Sequence, residues 1–185
     1  MLPLNTVSLD GKLDQSLLPK LDRIKAEANV SGVMVDVWWG IVEKQQGQYN
    51  FNAYKELAQY CQRIGLKLQC VMSFHQCGGN VGDTCDIKLP SWLTQKDIFY
   101  RDMHGKDDPE YIALSMDDKK VNGRTPVDMY SQYMQAFKQQ MGDLMGSTIN
   151  EIQVGLGPCG ELRYPAYTNN RGINIQLYKY QQYMN

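Results

Sequence analysis

The chain has 185 residues, enough for one domain with a sizeable hydrophobic core. Hydrophobic residues make up 43% and charged residues 21%, the balance of a folded chain rather than a disordered one. Lys plus Arg number 19 against 20 Asp plus Glu, so the net charge of −1 gives no electrostatic reason to expect a nucleic-acid or membrane partner.

No apolar run approaches the roughly 18 residues of a membrane helix. The start, Met1-Leu2-Pro3-Leu4-Asn5, has neither the basic region nor the long apolar region of a secretory signal, so a cytoplasmic location is expected. The five cysteines, Cys61, Cys70, Cys77, Cys85 and Cys159, are odd in number and contain no C-x-x-C pair. Free thiols are therefore expected rather than a disulfide framework.

Residues 17–28 place Leu17, Leu18, Leu21, Ile24 and Ala28 at helical spacing, with Lys20, Asp22, Arg23 and Lys25 on the other side. The run 33–39, bounded by Gly32 and Gly40, is rich in β-branched and aromatic residues and predicts a strand buried on both faces. Tyr54, Leu57, Ala58, Cys61 and Ile64 outline a second amphipathic helix, stopped by Gly65. Residues 66–75 predict a second apolar strand. The segment 76–127 carries Gly-Gly, Asp-Pro and Asn-Gly breakers and many charges, and a connection that long is often functional.

Met129, Tyr133, Phe137, Met141 and Leu144 mark a third helix, and residues 149–156 a third strand. Ile173, Leu177, Tyr180 and Met184 then carry helical spacing to the last residue with no stop signal. Strand and helix alternate throughout, which predicts parallel βα units. Three clear strands do not close a barrel of eight, so a fragment is expected.

In parallel α/β architectures the site forms where strands end and the next loops begin. The first strand carries Asp36. The second runs into Ser73-Phe74-His75-Gln76-Cys77-Gly78-Gly79-Asn80-Val81-Gly82-Asp83, and the third into Gly155-Leu156-Gly157-Pro158-Cys159-Gly160-Glu161. Each delivers a carboxylate to one rim, as acid–base chemistry requires.

Blander roles stay open for each. Asp36 could hydrogen-bond a backbone amide or pair with an arginine, and His75 could be a core histidine. Glu161 could be a structural partner of Arg163, although Leu162 and Tyr164 beside it could desolvate it and favour the protonated form that a general acid needs. His75, Cys77, Cys85 and Asp86 lack the spacing of a zinc site. The glycines at 78, 79 and 82 match no nucleotide-binding loop and read instead as a lid that lets Asp83 close on a ligand.

Four blocks, Met1-Leu2-Pro3-Leu4, residues 32–40, residues 72–83 and residues 154–165, resemble the β-amylases of glycoside hydrolase family 14 in the right order along nearly the whole chain. The resemblance implies a (β/α)8 barrel, here truncated to roughly its first four βα units, with residues 1–185 lacking the C-terminal half and the start of the first strand. It implies removal of β-maltose from the non-reducing ends of α-1,4-glucans with inversion, and no metal or organic cofactor.

By motif position Glu161 corresponds to the general acid. Asp36, His75 and Asp83 correspond to residues that hold the terminal glucose units, and Gly78, Gly79, Asn80, Val81 and Gly82 to the lid. The family's general base lies in the other half of the barrel, so these residues alone are expected to be inactive. Cys159, Ala166 and a shortened segment after Asp83 depart from the family pattern and are expected to be tolerated. The same sugar-holding residues would also suit a maltosaccharide-binding barrel without turnover, or an inactive gene fragment.

Overall fold

The computed structural model describes residues 1–78, 84–95, 97–101, 105–155 and 157. After a 3-10 turn at Gln15–Leu17, helix α1 runs over Leu18–Ala28, with Pro19 in its first turn and Asn29 in the left-handed conformation at its end. Strand β1 is Gly32–Trp38, followed without a break by the short helix α2, Trp39–Val42. Helix α3, Asn52–Ile64, ends at Gly65, whose positive φ of 72° lets its N–H reach back to the last turn. Strand β2 is Lys67–Ser73.

Two short antiparallel strands, β3 at Phe99–Arg101 and β4 at Asp107–Ile112, then form a hairpin. Helix α4, Pro126–Met141, starts with a capping box in which Thr125 and Asp128 exchange side-chain to backbone hydrogen bonds. Strand β5, Ile149–Gly155, closes the described order.

The main sheet has the order β1-β2-β5, and both pairings are parallel. Neighbours in space follow chain order, so among the described strands there is no point where the winding reverses, as it does in a doubly wound sheet. Trp38, Ser73 and Gly155 lie level across the sheet and mark its C-terminal edge.

The period of two sorts the strands into two faces. Val35, Val37, Leu68, Cys70 and Met72 lie on one face, each at most 1% exposed, and share a core with Leu57, Ala58 and Cys61 of α3 and Tyr133 and Phe137 of α4. Burial of an aliphatic side chain of this kind stabilises by about 1.5–3 kcal/mol. The other face carries Asp36, Gln69, Ser73, Glu151 and Gln153, and Gln69 Nε2 donates to Glu151 Oε1 at 2.8 Å.

Several expectations need correction. Strand β1 is buried on both faces only over residues 35–38, the end that meets the rim. Trp39 opens α2 instead of ending the strand, because Glu43 returns both its N–H to Trp39 O and its carboxylate to the indole N–H. The 76–127 segment, expected only as a long connection, contains the β3–β4 hairpin. Cys77 and Cys85 form a disulfide across a Cα separation of 6.3 Å, so they are not free thiols, whereas Cys61 and Cys70 are free and buried. Reciprocal backbone hydrogen bonds between Cys77 and Ile87, both 2.9 Å, fold the chain back so that Cys85 reaches Cys77. Among the described residues no helix is long and apolar enough to cross a membrane. The helical pattern at 173–185 lies outside the described residues.

Candidate active site

Asp36 sits one alternation below the sheet edge and is 7% exposed. Its Oδ1 accepts a hydrogen bond from Ser73 Oγ at 2.8 Å, and Ser73 is fully buried. Its Oδ2 is buried and has no hydrogen-bond partner among the described residues. Burial raises the carboxyl above its ordinary pKa of 3.8, and the Ser73 hydroxyl pulls the other way. Among the described residues the partner of Asp36 is a hydroxyl rather than a backbone amide or an arginine. A desolvated acceptor left open at a strand end is what a sugar hydroxyl can complete.

His75 follows the end of β2 and is also 7% exposed. Its ring meets Trp38 edge to face, with centroids 5.1 Å apart. Trp38 is in turn fixed at both ends. Its indole N–H donates to Leu4 O at 2.9 Å, and its backbone N–H donates to Tyr54 Oη at 3.1 Å. The Met1-Leu2-Pro3-Leu4 stretch reaches this position because Leu2 N–H donates to Met34 O at 2.8 Å, which docks it beside β1.

The arrangement thus brings Asp36, Ser73, His75 and Trp38 together. Gly78 is described, at a φ of 112°, and a Cβ there would approach Asp86 Oδ1 and Cys85 O to 3.0 Å. Gly79, Asn80, Val81, Gly82, Asp83 and Glu161 lie outside the described residues. Among the described residues no three His, Cys, Asp or Glu side chains gather as a metal site would require.

Sequence reasoning missed Ser73 as a partner and missed a second layer behind the rim. Glu43 is fully buried. Its Oε2 accepts from Trp39 Nε1 at 2.6 Å, and its Oε1 accepts from Gly47 N at 2.7 Å and from Arg124 Nη2 at 3.0 Å. Its backbone carbonyl accepts from Trp92 Nε1 at 2.8 Å, and the Arg124 guanidinium lies 5.4 Å from the Trp92 ring. This network ties α2, and with it the end of β1, to the segment that precedes α4. Glu43→Ala leaves Arg124 Nη2 and the indole N–H of Trp39 without their acceptor, and a broken buried pair of this kind costs about 3–5 kcal/mol. Chemical denaturation is expected to show that loss, whereas Lys12→Ala at the exposed Asp10 pair should leave the denaturation midpoint essentially unchanged.

Comparison with known proteins gives a consistent answer. The family model described as glycosyl hydrolase family 14 matches residues 1–185. The chain is 48% identical over 182 residues to a β-amylase of Vigna unguiculata, covering 93% of this chain and 36% of that protein. It is 46% identical over 181 residues to β-amylase 1, chloroplastic, of Arabidopsis thaliana, covering 93% of this chain and 31% of that protein. Among solved structures, the catalytic domain of β-amylase from Paenibacillus polymyxa superimposes with a TM-score of 0.72 at 33% identity, covering 86% of this chain and 37% of that one. The chain spans about a third of the length of the curated relatives it matches. With a family match along its whole length, the chain belongs to glycosyl hydrolase family 14.

Proposed function

We propose that the full-length protein hydrolyses α-1,4-glucosidic bonds of starch-like glucans and releases β-maltose from non-reducing ends with inversion. The chemistry takes place at the strand ends of a (β/α)8 barrel, of which this chain supplies roughly the first four βα units. The observation that carries the reading is Asp36 Oδ2, a buried acceptor without a partner among the described residues, beside His75 and Trp38 at the end of β1. The family membership supplies the substrate class.

In this reading Asp36 and His75, with Asp83, hold the terminal glucose units, and residues 78–82 form the lid. Glu161 donates its proton to the glycosidic oxygen as the bond to the anomeric carbon breaks. A second carboxylate outside residues 1–185 takes a proton from the water that attacks the opposite face, which inverts the anomeric carbon. The Ser73 hydroxyl fixes the orientation of the Asp36 carboxylate before sugar arrives, so little ordering remains to be done on binding.

Incubation of the full-length protein with soluble starch tests this reading. Maltose is the expected product, appearing first as the β-anomer in proton NMR. Maltose appearing first as the α-anomer would overturn the inverting mechanism. Retention of maltosaccharide without release would identify a sugar-holding barrel instead.

A further inference from the structure

Away from Asp36 and His75, the turns at 8–12 and 45–48 face each other across a cleft of about 290 Å³ that shares no residue with the rim. Its volume falls just below the range of about 300–1,000 Å³ for ligand sites. Both walls are held in place. On one side Gly47 N–H donates to the buried Glu43 carboxylate at 2.7 Å, Gln48 N–H to Gln45 O at 3.0 Å and Asn50 N–H to Val42 O at 3.1 Å. On the other, Gly11 N–H donates to Ser8 O at 2.8 Å, and Asp10 pairs with Lys12 at 2.7 Å.

Ile41 and Val42, which line the cleft, are buried side chains of α2. Above them the Lys44, Gln45 and Gln48 side chains are exposed and make no hydrogen bond to another described residue. Spare amide donors and acceptors beside the half-buried Tyr49, which also lines the cleft, fit a pyranose ring, whose neighbouring hydroxyls pair with both ends of an amide. An anionic ligand fits poorly. Among the described residues Lys44 is the one cation lining the cleft, and it is offset by Asp10, which the Lys12 ammonium and the Ser8 hydroxyl hold well below the usual carboxylate range.

We propose that this cleft is a second carbohydrate site, which grips an α-glucan chain through Gln45, Gln48 and Lys44 outside the catalytic rim. The proposal rests on the glucan-hydrolase reading above. Because α2 follows β1 directly, the cleft is lined by the chain segment that leaves the C-terminal end of β1.

Native electrophoresis of the full-length protein through gels containing soluble starch tests it, alongside turnover of a short maltooligosaccharide. Gln45→Ala/Gln48→Ala is expected to weaken retardation by starch at least about threefold, with turnover of the short substrate unchanged. Asp36→Asn is expected to keep part of the retardation, and adding the two Gln substitutions should remove it. If the double variant migrates as wild type at every starch concentration, with and without Asp36→Asn, the cleft is not a glucan site. If starch retards no variant while maltose is still released, the cleft fails and the hydrolase reading stands. If starch neither retards the protein nor is cleaved, both fail.

Discussion

Replacing Glu161 with Gln in the full-length protein is expected to lower kcat on soluble starch by about 10²–10⁴-fold, the usual contribution of a positioned general acid. Gln keeps the size and hydrogen-bonding capacity of the side chain but has no proton to give to the glycosidic oxygen. The affinity for maltose is expected to stay within about threefold, since only the bond-breaking step needs that proton. The proposed role rests on the resemblance of residues 154–165 to the family, in which Glu161 comes six residues after Gly155, the last residue of β5. Steady-state kinetics and calorimetry with maltose separate the two effects. Near-normal turnover by this variant would remove Glu161 from the acid role.

Asp36→Asn is expected to act in the opposite sense on binding and on stability. Hydrogen bonds to a charged acceptor contribute about 1.5–3 kcal/mol, so losing the carboxylate should weaken maltosaccharide binding about ten- to a hundredfold. Stability should rise. Burial raises the folded-state pKa of Asp36, whereas in the unfolded chain it ionises near its ordinary 3.8. As pH climbs from that value toward the raised one, the unfolded state loses a proton that the folded state keeps, so the wild-type protein loses stability over this window. Asn does not titrate. The variant should therefore be the more stable of the two at neutral pH, with the advantage closing as pH falls below about 4. Denaturation curves at neutral and acidic pH check the sign, and a variant less stable than wild type at neutral pH would contradict it. Stability given up at a ligand-binding carboxylate is a common trade.

The parts of this molecule that were legible in its sequence depend on local patterns. Helix α3 and its stop at Gly65 follow from apolar spacing and one residue that tolerates positive φ. The strands β1 and β2 follow from short apolar runs, whereas β5, expected as an apolar strand, is exposed over residues 150–154. Asp36 stood out because a carboxylate in such a run needs a reason to be there.

What stayed hidden depends on contacts between residues far apart in the chain. Glu43 and Arg124 are 81 positions apart, and nothing near either predicts the other. Ser73 becomes the partner of Asp36 only once β1 and β2 lie in their parallel register. The Cys77–Cys85 bond depends on the Cys77–Ile87 backbone pair, which no cysteine spacing reveals. Strand β4 reads Asp107-Asp108-Pro109-Glu110, a polar start that resembles a turn until the chain folds back on β3. Even the Met1-Leu2-Pro3-Leu4 block, recognisable as a motif, disclosed its physical role only in the structure, where Leu4 O anchors the indole of Trp38.

The central claim is that the buried carboxylate at the end of β1 holds the end of a glucan chain. A crystal structure of the full-length Glu161→Gln protein with a bound maltooligosaccharide tests it most directly. The expected result is a terminal glucosyl hydroxyl about 2.6–3.2 Å from Asp36 Oδ2, with His75 beside the same ring. An oligosaccharide bound in the rim with Asp36 Oδ2 out of reach of every sugar hydroxyl would contradict the account.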